Sequence, residues 1–260
     1  MKARIRLDLA LEQRGLMPSR ARARDAVLRG TVRVNGAPAQ KPNQMVAPDD
    51  VLTLNDPAAG YVSRAALKLI AGLDEGHIDP RGKTCLDVGA STGGFSQVLA
   101  ERGAAKIYAV DVGHGQLHAS LRDQAAIVSL EGTNARDLDR TTIAEPIDLL
   151  VSDISFVSVT KVLAAPLALC GPKAEAVILY KPQFEVGRDH VGKGGIVSDA
   201  AATTRAMEAV IAFVMAQGFV FRRGVPSPIA GGDGNRETVL VFGRDQARQA
   251  SKLPPAMSAQ

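Results

Sequence analysis

The sequence predicts an α/β fold, in which a small α+β domain precedes a mostly parallel, doubly wound sheet. From Thr84 onward, short apolar strands alternate with helical segments, as in a parallel sheet with helices on both faces. The first of these strands ends in an acid and a glycine-rich loop, D-V-G-A-S-T-G-G-F, which lets a ligand approach the backbone. The last two predicted strands are joined only by a loop, so one strand of the sheet should be antiparallel.

Length and composition limit the class of protein. The chain has 260 residues, 46% of them hydrophobic, and can bury a sizeable core. We expect neither a membrane span nor a secretory signal, because no apolar run approaches roughly 20 residues and the basic start soon gives way to mixed charges. Cys85 and Cys170 lie in apolar surroundings without metal-ligand spacing. This pattern predicts reduced core thiols, a cytoplasmic protein and no metal site.

Positive charge is concentrated at the N-terminus. Residues 1–41 contain ten Lys and Arg against three Asp and Glu, a net charge of +7, whereas the whole chain carries +4. The remaining residues therefore carry −3. Such a local excess is typical of nucleic-acid binding, although a solvated helix face would also produce it.

The N-terminal residues predict a compact unit of helices and short strands. A leucine-rich first helix from Leu7 should end at Gly15, and Ser19 should cap a second helix, Arg20 to Leu28. An alternating strand then enters an Asn-Gly turn, which is typical of a hairpin, and residues 51–54 form a closing strand. We expect domains at 1–55 and 61–244, a linker at 56–60 and a disordered tail at 245–260.

The N-terminal motif R-L-D-x-x-L…S-R-x-x-A…V-x-V-N-G…D-x-L resembles the S4 RNA-binding domain over nearly all of residues 5–54. The resemblance implies that basic side chains contact the backbone of structured RNA. The candidate RNA-binding residues are Arg4, Arg6, Arg20, Arg22, Arg24 and Arg64.

The second domain should open with a helix at Tyr61 and continue as alternating strands and helices. The predicted strands are 84–88, 106–112, 125–130, 147–152, 174–180, 219–223 and 238–242, with a strong helix at 200–217.

Polar residues at the carboxyl ends of these strands indicate a ligand site. The glycine-rich loop looks like the first motif of S-adenosylmethionine-dependent methyltransferases, and Asp111 can accept hydrogen bonds from both hydroxyls of a ribose. Asn134 follows the third strand, where it can meet an adenine edge. The same sequence pattern is also expected for a tight turn that binds no ligand, with Asp111 as a helix cap. The candidate cofactor-binding residues are Asp87, Gly89, Ala90, Ser91, Gly93, Gly94, Phe95, Asp111, Val112, Asn134, Ala135 and Asp153.

Two lysines and two acids form a second candidate set, Lys68, Asp153, Lys181 and Glu237. Such a set suits methyl transfer to a poor nucleophile such as a ribose 2′-hydroxyl. Lys181 can stabilise the developing alkoxide, while Asp153 and Glu237 hold the ammonium in place and Lys68 positions the hydroxyl or its phosphate. Four unrelated surface charges would be the alternative.

The same four positions resemble the catalytic tetrad of FtsJ/RrmJ-type ribose 2′-O-methyltransferases. The order of motifs, including Y-V-S-R-x-x-x-K-L, S-D-I-S-F, K-P-Q-F-E-V-G and G-N-R-E, resembles the TlyA family along essentially the whole chain. The resemblance implies a Rossmann-like methyltransferase sheet, S-adenosylmethionine as cofactor, and 2′-O-methylation of cytidine in rRNA of either ribosomal subunit. It also implies ribosomal subunits as partners, and we expect a monomer.

Other functions remain as alternatives. A non-catalytic RNA-binding protein would share the first domain, and a pore-forming hemolysin is suggested only by a name used in that family. Amine methylation fits poorly because Asp153-Ile154-Ser155-Phe156 lacks the two prolines usual there, and neither cysteine is placed for C5 methylation. The glycine-rich segment 183–198 is expected to be mobile without RNA.

Overall fold

Two compact units make up the chain, and they divide between Gly60 and Tyr61. The computed structural model describes residues 4–244. The predicted tail at 245–260 lies outside the described residues.

The first unit packs two helices against short antiparallel strands. Ser19 begins the second helix as predicted, because its Oγ accepts a hydrogen bond from the backbone N–H of Arg22 at 3.3 Å. Asn35 and Gly36 both have positive φ, at 51° and 81°, as a two-residue hairpin turn requires. The elements are β1 (Ile5–Arg6), α1 (Leu7–Gln13), α2 (Arg20–Leu28), β2 (Val32–Val34), β3 (Ala37–Pro38), β4 (Met45–Val46) and β5 (Leu52–Leu54).

The segment predicted as a linker is anchored in this first unit. The carboxylate of Asp56 accepts hydrogen bonds of 2.6 and 2.7 Å from the guanidinium of Arg29, and Ala58 is fully buried. A local turn pattern at 56–60 gave no sign of these contacts, which join residues far apart in the sequence.

The second unit is built on one seven-stranded sheet. Its elements are α3 (Ala66–Gly76), β6 (Thr84–Val88), α4 (Gly94–Glu101), β7 (Lys106–Asp111), α5 (Ala119–Arg122), β8 (Ile127–Glu131), β9 (Ile147–Ser152), α6 (Ala164–Ala168), β10 (Cys170–Tyr180), α7 (Pro182–Glu185), α8 (Ala200–Ala216), β11 (Phe219–Pro226) and β12 (Thr238–Arg244).

The strand order is β11-β12-β10-β9-β6-β7-β8. Strands β6 to β10 pair in parallel, and β12 runs antiparallel to both of its neighbours, so the predicted fold class is confirmed. The chain leaves β6 toward β7 and β8, then returns to place β9 on the other side of β6. This reversal creates a crevice at the carboxyl ends of β6 and β9, where open α/β sheets bind ligands.

Apolar side chains cover both faces of the sheet. One cluster packs α3, α4 and α5 on one face through residues such as Leu69, Leu99 and Leu121. The other packs α6 and α8 on the opposite face through Leu167 and Val214. The sheet is therefore wound on both faces, and its rim is left for polar residues.

Helix α3 begins at Ala66, five residues later than predicted. The N–H of Val62 donates to Gln97 Oε1 at 2.8 Å, and that of Ala65 donates to Ser63 Oγ at 3.2 Å. Because side chains accept these backbone hydrogen bonds, residues 61–65 form turns instead of helix.

Candidate active site

The glycine-rich loop after β6 follows an unusual backbone path. Gly89, Ser91 and Gly93 all have positive φ, at 85°, 47° and 94°. A Cβ on Gly89 would lie only 3.1 Å from the carbonyl oxygen of Asp153, at the end of β9. A glycine is required here because the loop passes directly against the neighbouring strand end.

Asp111, at the end of β7, holds this loop and the next one. Its Oδ2 accepts a hydrogen bond from the N–H of Ser91 at 2.9 Å, and its Oδ1 accepts one from the N–H of Gly113 at 2.8 Å. The carboxylate is half-buried, so it is fixed in place while part of it remains accessible.

Two cavities open at the crevice between β6 and β9. The larger has a volume of about 430 Å³, and the smaller, of about 140 Å³, adjoins it along Gly89, Ser91, Asp153 and Ser155. Predicted cofactor residues that line the larger cavity are Gly89, Ser91, Asp111, Val112, Asn134, Ala135 and Asp153. Those lining the smaller one include Ala90, Gly94 and Phe95.

Asp87 and Gly93 line neither cavity, unlike the other predicted cofactor residues. Asp87 is fully buried, and its Oδ2 accepts a hydrogen bond from the Ser96 hydroxyl at 2.7 Å. Burial raises the pKa of Asp87 to about 7. A Cβ on Gly93 would lie 2.4 Å from Leu121 Cδ1, so this glycine allows close packing beneath the loop. Asp87 and Gly93 therefore lie on the buried side of the loop.

The topology brings three of the four tetrad residues to one rim. Tyr180 at the end of β10 pairs with Thr238 at the start of β12, so the adjoining Lys181 and Glu237 lie side by side. Asp153 follows β9, which runs parallel to β10 on its other side. Lys68, on the first turn of α3, joins the same rim through its contact with Glu237.

Lys68 and Glu237 form a buried ion pair. Lys68 Nζ lies 2.5 Å from Glu237 Oε2, and the two residues are 6% and 5% exposed. Helix α3 can approach this closely because Gly72 faces the sheet, where a Cβ would lie 2.5 Å from Val239 Cγ1. A buried ammonium needs such a partner, because an unpaired charge would lose its solvation without compensation.

Lys181 forms the second pair. Its Nζ lies 2.5 Å from Asp153 Oδ1, and the two form an ion pair whose angles do not meet those of a hydrogen bond. The same Nζ donates a hydrogen bond to Ser155 Oγ at 2.7 Å. Lys181 is 7% exposed, and Asp153 and Ser155 line both cavities. The geometry therefore places a fixed ammonium beside the residues that line the crevice.

Sequence reasoning assigned no role to Phe156, although it lines the larger cavity. Its side chain is 91% exposed, and its φ of 69° is rare for an aromatic residue. The centroid of this ring lies 5.4 Å from that of Phe184, which belongs to α7, directly after Lys181. An aromatic directly after S-D-I-S was visible in the sequence, but its exposure was not.

The predicted RNA-binding residues have different surroundings. Arg4 and Arg24 are exposed, Arg6 and Arg20 pair with Asp8, and the half-buried Arg22 donates to the carbonyl of Ala58 at 2.9 Å. Arg64, in the second unit, is half-buried.

Within residues 4–244, no group of three or more His, Cys, Asp or Glu could hold a metal ion. The helices of that same range include none that is long and apolar enough to span a bilayer.

Two domain families match this architecture. An FtsJ-like methyltransferase model matches residues 61–244, and an S4 domain model matches residues 5–52. The 16S/23S rRNA (cytidine-2′-O)-methyltransferase TlyA of Mycobacterium tuberculosis is 43% identical over 260 residues, covering 99% of this chain and 97% of that protein.

Two further relatives carry a hemolysin name. Hemolysin A of Brachyspira hyodysenteriae is 38% identical over 92% of this chain and 99% of its own length. The solved structure of a hemolysin-named protein from Streptococcus thermophilus superposes with a TM-score of 0.72 at 33% identity, covering 94% of this chain and 90% of that one. Given the matched domains, the full-length similarity and the site at the carboxyl rim, the chain belongs to the TlyA family of FtsJ-like methyltransferases with an N-terminal S4 domain.

Proposed function

We propose that this protein transfers a methyl group from S-adenosylmethionine to the ribose 2′-hydroxyl of a cytidine in rRNA. The observation that carries the proposal is the fixed ammonium of Lys181 at the rim of a cavity suited to an adenosyl ligand. The cytidine and the rRNA are taken from the activity named for the M. tuberculosis relative.

The cavity residues suit S-adenosylmethionine. A volume of about 430 Å³ lies in the range of small-molecule pockets, and the Asp111 carboxylate suits a ribose diol. Asn134 and Ala135 would hold the adenine end, and the backbone of the glycine-rich loop would hold the amino-acid end. When bound, S-adenosylmethionine supplies an electrophilic methyl group.

The chain's own residues then prepare the hydroxyl oxygen. That hydroxyl is un-ionised at neutral pH, so the Lys181 ammonium would stabilise negative charge on the oxygen as the hydroxyl proton passes to water. The oxygen would form its bond to the methyl carbon as the bond from that carbon to sulfur breaks, which leaves S-adenosylhomocysteine. Asp153 and Ser155 fix the ammonium, and the Lys68–Glu237 pair would position the ribose or its phosphate. The roles of these residues are part of the proposal.

Alanine at Asp111 tests the cofactor site. We expect Asp111→Ala to weaken binding of S-adenosylhomocysteine about 10- to 150-fold, because hydrogen bonds to a charged group contribute about 1.5–3 kcal/mol. Isothermal titration calorimetry measures this directly. Asp123→Ala, an exposed acid on the next helix end, is the matched control and should bind normally. If both variants bind S-adenosylhomocysteine equally well, a residue other than Asp111 contacts the ribose.

Phe156 gives a separate test of the RNA site. We expect Phe156→Ala to raise the KM for the rRNA substrate about 5- to 150-fold, since stacking of a base on an aromatic contributes about 1–3 kcal/mol. Thermal stability should stay unchanged because the ring is exposed. Met215→Ala, a half-exposed apolar residue on α8, serves as the control. An unchanged KM would show that the target base does not stack there.

The proposal extends to partners and location. The basic S4 unit suits ribosomal subunits as the substrate, which puts the enzyme in the cytoplasm. Action as a monomer is part of the proposal.

Methyl transfer with labelled cofactor and purified small and large ribosomal subunits, followed by mapping of 2′-O-methyl sites, tests the whole proposal. We expect label at a cytidine ribose of one or both subunits. RNA binding without label would favour a non-catalytic assembly protein. Leakage of liposomes by the purified protein would instead support the hemolysin name.

A further inference from the structure

A buried carboxylate in the first unit holds two of the arginines singled out for RNA contact. Asp8 lies in the first turn of α1 and is 1% exposed. Its Oδ1 accepts a hydrogen bond from Arg6 Nε at 3.0 Å, and its Oδ2 accepts from Arg6 Nη2 at 2.8 Å. Its Oδ2 also accepts from Arg20 Nε at 3.2 Å. One carboxylate therefore fixes guanidiniums from β1 and α2.

These guanidiniums keep most of their hydrogen-bonding capacity. The side chains of Arg6 and Arg20 are 40% and 53% exposed, whereas that of Asp8 is 2% exposed. An arginine has five N–H donors, and Asp8 takes two from Arg6 and one from Arg20. In the described part of the chain, the structure gives the remaining donors no protein partner.

The backbone at this point is fixed as well. The N–H of Arg20 donates to Glu12 Oε1 at 3.0 Å, so α1 holds the first residue of α2 by both its backbone and its side chain. The Arg6 hydrogen bonds hold the pKa of Asp8 down at about 2, so the carboxylate stays ionised well below the pH at which an ordinary aspartate takes up a proton.

We infer that Asp8 is a positioning residue for RNA binding, which holds Arg6 and Arg20 as a preformed pair of guanidiniums for RNA phosphates. The inference rests on the proposed RNA-binding function. A preformed pair binds more tightly than two free arginines because less side-chain entropy is lost on binding.

If net charge alone controlled RNA binding, removal of Asp8 would have the opposite effect. Residues 1–60 contain ten Lys and Arg against six Asp and Glu, a net charge of +4. Removal of an acid makes this unit more positive, which should strengthen binding to RNA. If Asp8 positions the arginines, its removal should weaken binding despite the added positive charge. The sign of the change therefore separates the two explanations.

The test compares Asp8→Asn with Asp49→Asn in the full-length protein. Asp49 is an exposed acid of the same unit, and it forms no ion pair with another described residue. Binding to purified ribosomal subunits is measured at several salt concentrations. We expect Asp8→Asn to bind about 5- to 10-fold more weakly, with a shallower salt dependence, because fewer phosphates are engaged. Asp49→Asn should bind as tightly as the wild type or more tightly.

One further variant and two measurements guard against a folding defect. Arg20→Lys keeps the charge and leaves the Asp8 carboxylate in place, but it loses the planar fork, so it should also weaken binding. Asp8→Asn should melt at a lower temperature than the wild type, so every variant is scored at a temperature at which its melting curve shows it fully folded. Its S-adenosylhomocysteine affinity should match that of the wild type. If both Asp8→Asn and Arg20→Lys bind as tightly as the wild type, the positioning role is wrong. If the wild type itself does not bind ribosomal subunits, the proposed function fails instead.

Discussion

The Lys181→Ala variant is expected to lose methyl transfer by a factor of about 10²–10³ while it retains S-adenosylmethionine affinity. Loss of a single preorganised donor to a developing oxyanion costs about that much in turnover. Lys181 is held by Asp153 and Ser155 at the rim and does not line the larger cavity, so cofactor binding should change little.

A matched control lies on the same strand. Lys173 is an exposed lysine near the opposite end of β10, so Lys173→Ala removes the same charge far from the crevice. Single-turnover transfer of labelled methyl to ribosomal subunits, together with calorimetric cofactor titration, compares the two variants. If the turnover rate of Lys181→Ala lies within a few-fold of that of Lys173→Ala, Lys181 takes no part in the chemical step.

The Glu237→Gln variant is expected to lower the free energy of unfolding by about 3–5 kcal/mol. The change leaves the buried Lys68 ammonium without a counter-charge, and breaking a buried pair costs about that much. Adding Lys68→Met should restore part of the lost stability because it removes the unpaired charge. Activity should remain lost in the double variant, because both groups belong to the proposed site.

An exposed ion pair provides the comparison. Lys106 and Glu145 are paired at the surface, with side chains 37% and 43% exposed, so Lys106→Met should lower the free energy of unfolding far less than Glu237→Gln does. Urea unfolding of the single and double variants gives the coupling energy as a double-mutant cycle. Equal, additive losses from Lys68→Met and Glu237→Gln would contradict an energetic role for the buried pair.

Local patterns were enough to predict the sheet. The fourth strand was predicted at the residues that β9 occupies, and α2 likewise matches its prediction. Apolar periodicity and capping residues decide these elements, and both can be read within a few positions. Helix α3 was placed too early because Ser63 and Gln97 take hydrogen bonds that a helix would otherwise form, and one of these partners is distant in the sequence.

The site was harder to predict from local sequence patterns. The sequence predicted that Asp87 contacts the cofactor because it ends a strand, but strand position alone does not show that the side chain is fully buried. The exposure and positive φ of Phe156 arise from the packing of the loop after β9. Chemical reasoning placed Lys68 and Glu237 in one candidate set, but it expected Glu237 to hold the Lys181 ammonium, whereas Glu237 pairs with Lys68. No local pattern predicts a pair between residues so far apart.

The Lys68–Glu237 contact joins residues 169 positions apart in the chain. At about 5–20 residues per second, the ribosome adds that length in roughly 8–34 seconds. Throughout this interval α3 has been synthesised but cannot settle on the growing sheet without burying a lone ammonium. Docking of α3 with its Lys68 charge paired therefore requires Glu237, which directly precedes β12, so the proposed site can form only after this strand has been synthesised.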